Sequence, residues 1–396
     1  MRRIYLDYNA TAPLSPTAEA VLAKCGGRLP QSSSYINYFP AFNASSMHAE
    51  GRIARAWVDE ARWRVARCLG VQPHEIVFTS GGTESNNLAI IGAVLARLRN
   101  SAVGRLYVMT SAIEHHCVLA SCQWLQRWFT VKTDFIPVDQ TGIVCAEKIE
   151  DVSPPYPLLI SVMAANNEIG TRQPVERIGQ WTRKYGILFH VDAVQLAGRE
   201  SLKAICQNAD LVSFSGHKIG APHGTGVLYV RSGVPLEPLI IGGWQELGRR
   251  AGTENAASLL ALAAALEAAE ADMQGESRRL FELVERLWQH IALLPNVRRN
   301  GHITQRIANT LNVTFLDLDQ QTLLMALDLE GLSVSSGSAC VVGTWQPSHV
   351  LAALGYSSEG ATVRFSLGKE TSEADVEEAA ERVKKVVNRL RSINLR

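Results

Sequence analysis

No apolar run in this chain is long enough to cross a bilayer. The most apolar stretch, 259–266, falls far short of the roughly 20 residues a spanning helix needs. An excess of charge of one sign is lacking too. The 39 Lys and Arg face 38 Asp and Glu, and a net charge of +1 gives no electrostatic case for nucleic acid or an anionic membrane as partner. The seven cysteines contain no Cys-x-x-Cys pair and are odd in number, which argues against a disulfide framework or a zinc ribbon. They favour a reducing compartment, with the cytoplasm as the expected location. No apolar stretch follows Arg2 and Arg3, so the first residues do not read as a signal peptide. What is present is a chain of 396 residues, 46% hydrophobic and 19% charged, ample for a sizeable core and for two domains.

Helical and extended patterns alternate from about 49 to 230. Helical periodicity covers 49–69, 84–99, 118–129 and 175–185. Short apolar runs at 76–78, 106–109, 133–136, 158–162, 187–191, 211–214 and 226–230 read as strands. That alternation predicts an α/β domain with a mostly parallel, seven-stranded sheet. A long helical run, 256–291, leads into a different texture of strand, helix, strand, strand and helix at 310–315, 320–329, 332–335, 362–366 and 373–390. The expected division is a large domain over 15–258. A smaller α+β domain would take 1–14 and 259–396, including the connecting helix and the loop around Cys340. The segment 31–43, with Tyr35, Tyr38, Phe39 and Phe42, reads as a loop.

Several strand ends carry residues with chemistry. Asp192 closes the run 187–191, and Lys218 follows the run 211–214, 26 residues later, wrapped by Ser215, Gly216 and His217. Parallel strands bring such ends to one sheet edge. A lysine that forms a Schiff base with pyridoxal 5'-phosphate (PLP) needs a carboxylate opposite the pyridinium nitrogen, because the ring draws electrons only while that nitrogen is protonated. Gly81-Gly82-Thr83 follows a strand and opens a helix, a place where backbone N–H groups and the dipole attract phosphate. The loop is neither a dinucleotide fingerprint nor a Walker A motif. His115, in Glu114-His115-His116, is placed to stack on a flat ring. Asn166 and Gln195 are placed to bond a ring oxygen or a substrate. Cys340 lies among Gly, Ser and Ala, which cannot form a core, so its thiol reads as a nucleophile. Arg364 offers a planar clamp for a carboxylate. Each residue alone also fits a plain reading: a helix cap for Asp192, an N-cap for Thr83, a structural histidine, an Asx-turn for Asn166, a surface arginine.

Taken together, the chain resembles the cysteine desulfurases of the class V branch of PLP enzymes, which have the aspartate aminotransferase-type fold (fold type I). It is most similar to the nitrogen-fixation and iron–sulfur-assembly type. The motifs run nearly the full length, from Tyr5-Leu6-Asp7-Tyr8-Asn9-Ala10-Thr11 through Asn166-Asn167-Glu168-Ile169-Gly170 and Gly252-Thr253-Glu254-Asn255 to Val363-Arg364-Phe365-Ser366. The resemblance implies that Lys218 carries the cofactor, Asp192 pairs its ring nitrogen, Gln195 bonds the ring hydroxyl oxygen and His115 stacks on the ring. It implies a phosphate cradle of Gly82, Thr83, Ser215 and His217, with Thr253 supplied by the partner in a homodimer. Asn9, Asn166 and Arg364 would bind the substrate, L-cysteine, with Asn166 also near the cofactor. Cys340 would take the sulfur as a persulfide and release alanine. The acceptor would be a sulfur carrier or an iron–sulfur scaffold protein, with Cys340 as a transient ligand of a nascent [2Fe–2S] cluster. A selenocysteine lyase or another class V transferase is the alternative. Trp244 and Leu247 stand where relatives usually carry glycine and arginine, and Val341 and Val342 replace the small polar residues that usually follow the cysteine.

Overall fold

The computed structural model describes residues 2–26, 42–99, 106–337, 348–356 and 360–394. After β1 (Ile4–Tyr5), seven strands build one sheet: β2 (Ile76–Thr79), β3 (Tyr107–Ser111), β4 (Lys132–Ile136), β5 (Leu159–Ser161), β6 (Leu188–Asp192), β7 (Leu211–Ser215) and β8 (Gly226–Val230). Their order is β2-β8-β7-β6-β5-β3-β4. Only β8 runs against its neighbours. The carboxyl ends of β2, β3, β5, β6 and β7 therefore share one edge, where α/β sheets carry their ligands. β7 and β8 are buried at every position, as expected of strands covered on both faces, which is why they read as near-continuous apolar runs. All seven strands coincide with runs expected from the sequence.

The expected helix 84–99 is present but interrupted. It begins at Gly82 and passes through a π turn, Leu88–Gly92, before resuming as Ala93–Arg99. The long run 256–291 is two helices, Ala256–Ala271 and Met273–Ile291, parted at Asp272, whose φ of −121° and ψ of 18° break the helical ladder. The first is largely apolar and packs on the helices Pro16–Gly26 and Ala49–Leu69, inside the core of the large sheet. The second is amphipathic and starts a separate core through Leu280, Leu283, Val284 and Leu287. The two hydrophobic cores thus draw on different helices on either side of Asp272. The alanines of the first helix allow its close approach to the neighbouring helices.

The smaller body contains β9 (Val297–Asn300), β10 (Thr310–Phe315), β11 (Leu332–Ser333) and β12 (Ala361–Ser366). An antiparallel sheet has the order β12-β10-β9, and β1 pairs in parallel with β11. β1 thereby ties Ile4 and Leu6 into this second core. β9 escapes the sequence pattern because it is an edge strand with Arg298 and Arg299 at its centre. Among the described residues, no helix is long and apolar enough to cross a membrane.

Candidate active site

The strand ends converge on a cavity of about 290 Å³. Asp192 ends β6 with its carboxylate buried. Its Oδ2 accepts from Asn86 Nδ2 (2.7 Å), and its Oδ1 accepts from the Val194 backbone N–H (2.9 Å). Burial pushes the Asp192 pKa up, opposed by those hydrogen bonds and by the charges of His115 and Lys218. A carboxylate held this way, by neutral amides at contact distance, favours a cationic partner in the cavity. Lys218 lies in the 3₁₀ turn Gly216–Ile219 that follows β7. Its Nζ donates to the backbone oxygens of Asn9 (2.6 Å) and Ala10 (2.7 Å).

His115 follows β3 and caps the helix His116–Phe129, its Nδ1 accepting from the Cys117 N–H at 3.2 Å. That bond requires Nδ1 to be unprotonated, so the neutral ring carries its proton on Nε2. Burial is the main cause of a lowered His115 pKa, with Asp192 pulling the other way. The imidazole is therefore an uncharged plane on the cavity wall.

At the phosphate-type end, Gly82 and Thr83 begin the helix that follows β2, and Ser215 and His217 close the other side. A Cβ at Gly82 would lie 2.6 Å from Val194 Cγ2, and one on Gly226 would lie 2.5 Å from Gly81 Cα. Both positions need glycine because the glycine loop, β8 and the segment after β6 meet there without room for a side chain. Burial, with the charges of Lys218 and His223, takes the His217 pKa down to about 4.

Opposite, Arg364 projects from β12 and is buried. Nη2 donates to Asp7 Oδ1 (2.7 Å), Nη1 donates to the Asn167 carbonyl (3.0 Å), and Nε has no hydrogen-bond partner among the described residues. Its backbone pairs with Ser335, so this strand also fixes the chain shortly before Cys340. Cys340 itself, with Val341 and Val342, lies outside the described residues, as does most of 31–43.

Asn166 and Asn9 are placed differently from the simple reading. Asn166 is fully buried: its Nδ2 donates to the Ile113 carbonyl (2.9 Å), and its Oδ1 accepts from the Glu168 and Ile169 N–H groups. It builds an Asx-turn, and Asn167 is the residue on the cavity wall. The Asn9 amide is engaged by Thr310, Asn309 and the Asn167 carbonyl, so Asn9 meets the site through its backbone oxygen, which also accepts from Gln195 Nε2 (3.1 Å). Thr253 is exposed on the loop before the helix Ala256–Ala271, away from the cavity wall. Gln195 lines the cavity. Its Oε1 accepts from Arg199 (2.7 Å), which leaves its amide group as a donor. Asn86 and Cys117 also line the cavity and were not singled out from the sequence. Their signal was adjacency, Asn86 one helical turn beyond Gly82 and Cys117 two residues after His115.

The class V aminotransferase family model (Aminotransferase class-V) matches residues 4–378. The chain belongs to that family. Within it, the chain lies among the cysteine desulfurases. It is 39% identical to cysteine desulfurase IscS of Methanosarcina thermophila, over 99% of this chain and 94% of that protein. A solved NifS-like protein superposes with a TM-score of 0.87 at 31% identity, covering 98% of this chain and 100% of the other. The structure of SspA in complex with cysteine gives 0.77 at 34% identity, over 92% and 98%. Class V enzymes use PLP, and the residues present here fit it. Asp192 is a buried carboxylate on the wall of the same cavity as Lys218, and Gly82, Thr83, Ser215 and His217 line that cavity too.

Proposed function

We propose that this class V cysteine desulfurase moves the sulfur of L-cysteine to Cys340 and then to a protein acceptor. The observation that carries the reading is the convergence of Lys218, Asp192, His115 and Arg364 on one cavity, with the chain leading to Cys340 anchored at Arg364. Bound PLP supplies an electron sink that labilises the bonds of an amino acid at Cα and Cβ. Lys218 would hold the cofactor and carry the substrate's proton, and Asp192 would keep the ring nitrogen protonated. Arg364 would orient the substrate through its carboxylate. The Cys340 thiolate would attack the substrate sulfur. An S–S bond forms, the Cβ–S bond breaks, Cβ gains a proton, and alanine leaves. Val341 and Val342 would either pack the loop down in the resting enzyme or form a small apolar contact with the acceptor. Among the described residues no group of three or more His, Cys, Asp or Glu side chains is arranged to hold a metal. A [2Fe–2S] cluster passing through Cys340 would be cargo, with its other ligands drawn from an iron–sulfur scaffold protein.

A homodimer completes the reading. Ile241 and Trp244 are 86% and 88% exposed on the loop that carries Thr253, and Leu247 is exposed beside them. Large apolar side chains grouped this way favour a partner surface. The loop is tied to the phosphate end by Arg250, whose Nε donates to Glu84 Oε1 (2.9 Å), and to β2 by the buried Glu246. A two-fold partner would thus bring its own Thr253 near this cavity. The six described cysteines are free thiols, in keeping with a cytoplasmic setting.

The test is direct. The purified protein should absorb near ~400 nm, as bound PLP does, and Lys218→Ala should abolish that band. Cys340→Ala should stop sulfide release from cysteine. Retained release would overturn the persulfide step, and retained activity on selenocysteine alone would point to the lyase.

A further inference from the structure

Behind His217 stand two residues for which the cysteine desulfurase reading has no use. Thr11 Oγ1 lies 3.1 Å from His217 Nδ1 and 3.2 Å from His223 Nε2. The two imidazoles are stacked, with centroids 5.2 Å apart and planes 29° apart. The segment holding Thr11 is fixed against the same turn, because the Ala12 N–H donates to the His217 carbonyl (3.0 Å) and Lys218 donates to Asn9 and Ala10. Thr11 and His223 are outside the cavity wall, whereas His217 is part of it.

A threonine hydroxyl has one proton to share between these two nitrogens. If it donates to His223, His217 must hold its proton on Nδ1, and its remaining nitrogen, Nε2, is a bare lone pair. If it donates to His217 Nδ1, the His217 proton sits on Nε2, and His223 Nε2–H donates to the hydroxyl oxygen. Only the second order gives the cavity a donor, and an anion there selects it. Burial keeps His217 neutral at physiological pH, so its tautomer decides whether it attracts or repels a phosphate.

We propose that His223, Thr11 and His217 form a directed hydrogen-bond chain that holds His217 as an Nε2–H donor toward the cofactor phosphate, with Thr11 and His223 as positioning residues. The proposal rests on the reading of this cavity as a PLP site and adds a phosphate-specific element to it.

The apo form of the full chain is titrated with PLP and, separately, with pyridoxal, which has the same ring and aldehyde but no phosphate. Thr11→Val keeps the shape and removes the hydroxyl. It should weaken PLP about tenfold, because His217 Nδ1 loses the donor that keeps its proton on Nε2, and leave pyridoxal unchanged. Thr11→Ser should restore wild-type PLP affinity. His223→Ala, at an exposed side chain, should weaken PLP about threefold, because water replaces part of its donation. Parallel losses for PLP and pyridoxal would mean a merely structural role and overturn the chain. So would unchanged PLP affinity in Thr11→Val, or an effect of Thr11→Val with none from His223→Ala. A wild-type protein that takes up neither ligand would overturn the cofactor reading itself.

Discussion

Arg364 and Asp7 form an ion pair across the two ends of the sequence, with Nη2 2.7 Å from Oδ1 and the arginine side chain only 4% exposed. Asp7 lies beside β1 and Arg364 in β12, and the parallel bridge between Asp7 and Ser366 holds the two segments together. The pair aims the guanidinium. Asp7 takes one Nη and the Asn167 carbonyl takes the other, which fixes the guanidinium against the cavity wall.

Arg364→Lys keeps the charge and loses the planar fork. An ammonium cannot serve Asp7, Asn167 and a substrate carboxylate in one geometry. The KM for cysteine should rise about tenfold or more, with kcat changing less. Steady-state kinetics of alanine formation measure it, and an unchanged KM would show that the carboxylate is bound elsewhere.

Glu114 is fully buried, and desolvation raises its pKa to about 8. One oxygen accepts from Ser111 and the Met163 N–H, and the other has no partner among the described residues. Between the ordinary carboxyl range and pH 8, the folded protein holds a proton that the unfolded chain releases. The resulting stability is complete at the acid end of that window and drains away as pH rises through it. Glu114→Gln mimics the protonated acid and cannot titrate. Its stability relative to wild type should therefore climb with pH by up to ~1.4 kcal/mol per unit. Denaturant unfolding at pH 5, 6, 7 and 8 reads the difference, and a constant offset would contradict it.

His190 lies at the centre of the sheet between Ser161 Oγ on Nδ1 (2.8 Å) and Ser213 Oγ on Nε2 (2.9 Å). Burial takes its pKa down to about 3. Below the ordinary histidine range the unfolded chain takes up a proton that the folded protein refuses. Its contribution to stability is full above that range and is lost as pH falls toward 3. His190→Gln should flatten the acid slope of unfolding free energy by about one proton, ~1.4 kcal/mol per pH unit. His217, displaced in the same direction, should keep some slope in the variant. Identical slopes in wild type and variant would refute this.

Trp244 should anchor the dimer interface. Trp244→Ala is expected to weaken self-association about thirtyfold or more, the effect of losing an aromatic anchor. Sedimentation across a concentration series measures it. A wild-type monomer with full activity would remove both the interface and the proposed role of Thr253.

The element order and the chemistry at the strand ends were legible from the residues themselves. Buried parallel strands impose apolar runs such as 211–214, and Lys218, Asp192, His115 and the Gly81-Gly82-Thr83 turn stand where those runs stop. Local periodicity and turn chemistry carry that information along the chain. Side-chain engagement was not legible in the same way. Asn166 and Asn167 are neighbours of the same type, and only packing against Ile113 turned the first inward and left the second on the cavity wall. The break at Asp272, the Asp7–Arg364 pair and the His223–Thr11–His217 contact likewise join residues with no local signature. Each depends on where distant backbone segments come to rest, and a hydrogen bond needs atoms placed within a few tenths of an ångström. Sequence determined which groups this protein has and at which strand ends they stand, and tertiary packing alone decided which of them remain available to the cavity.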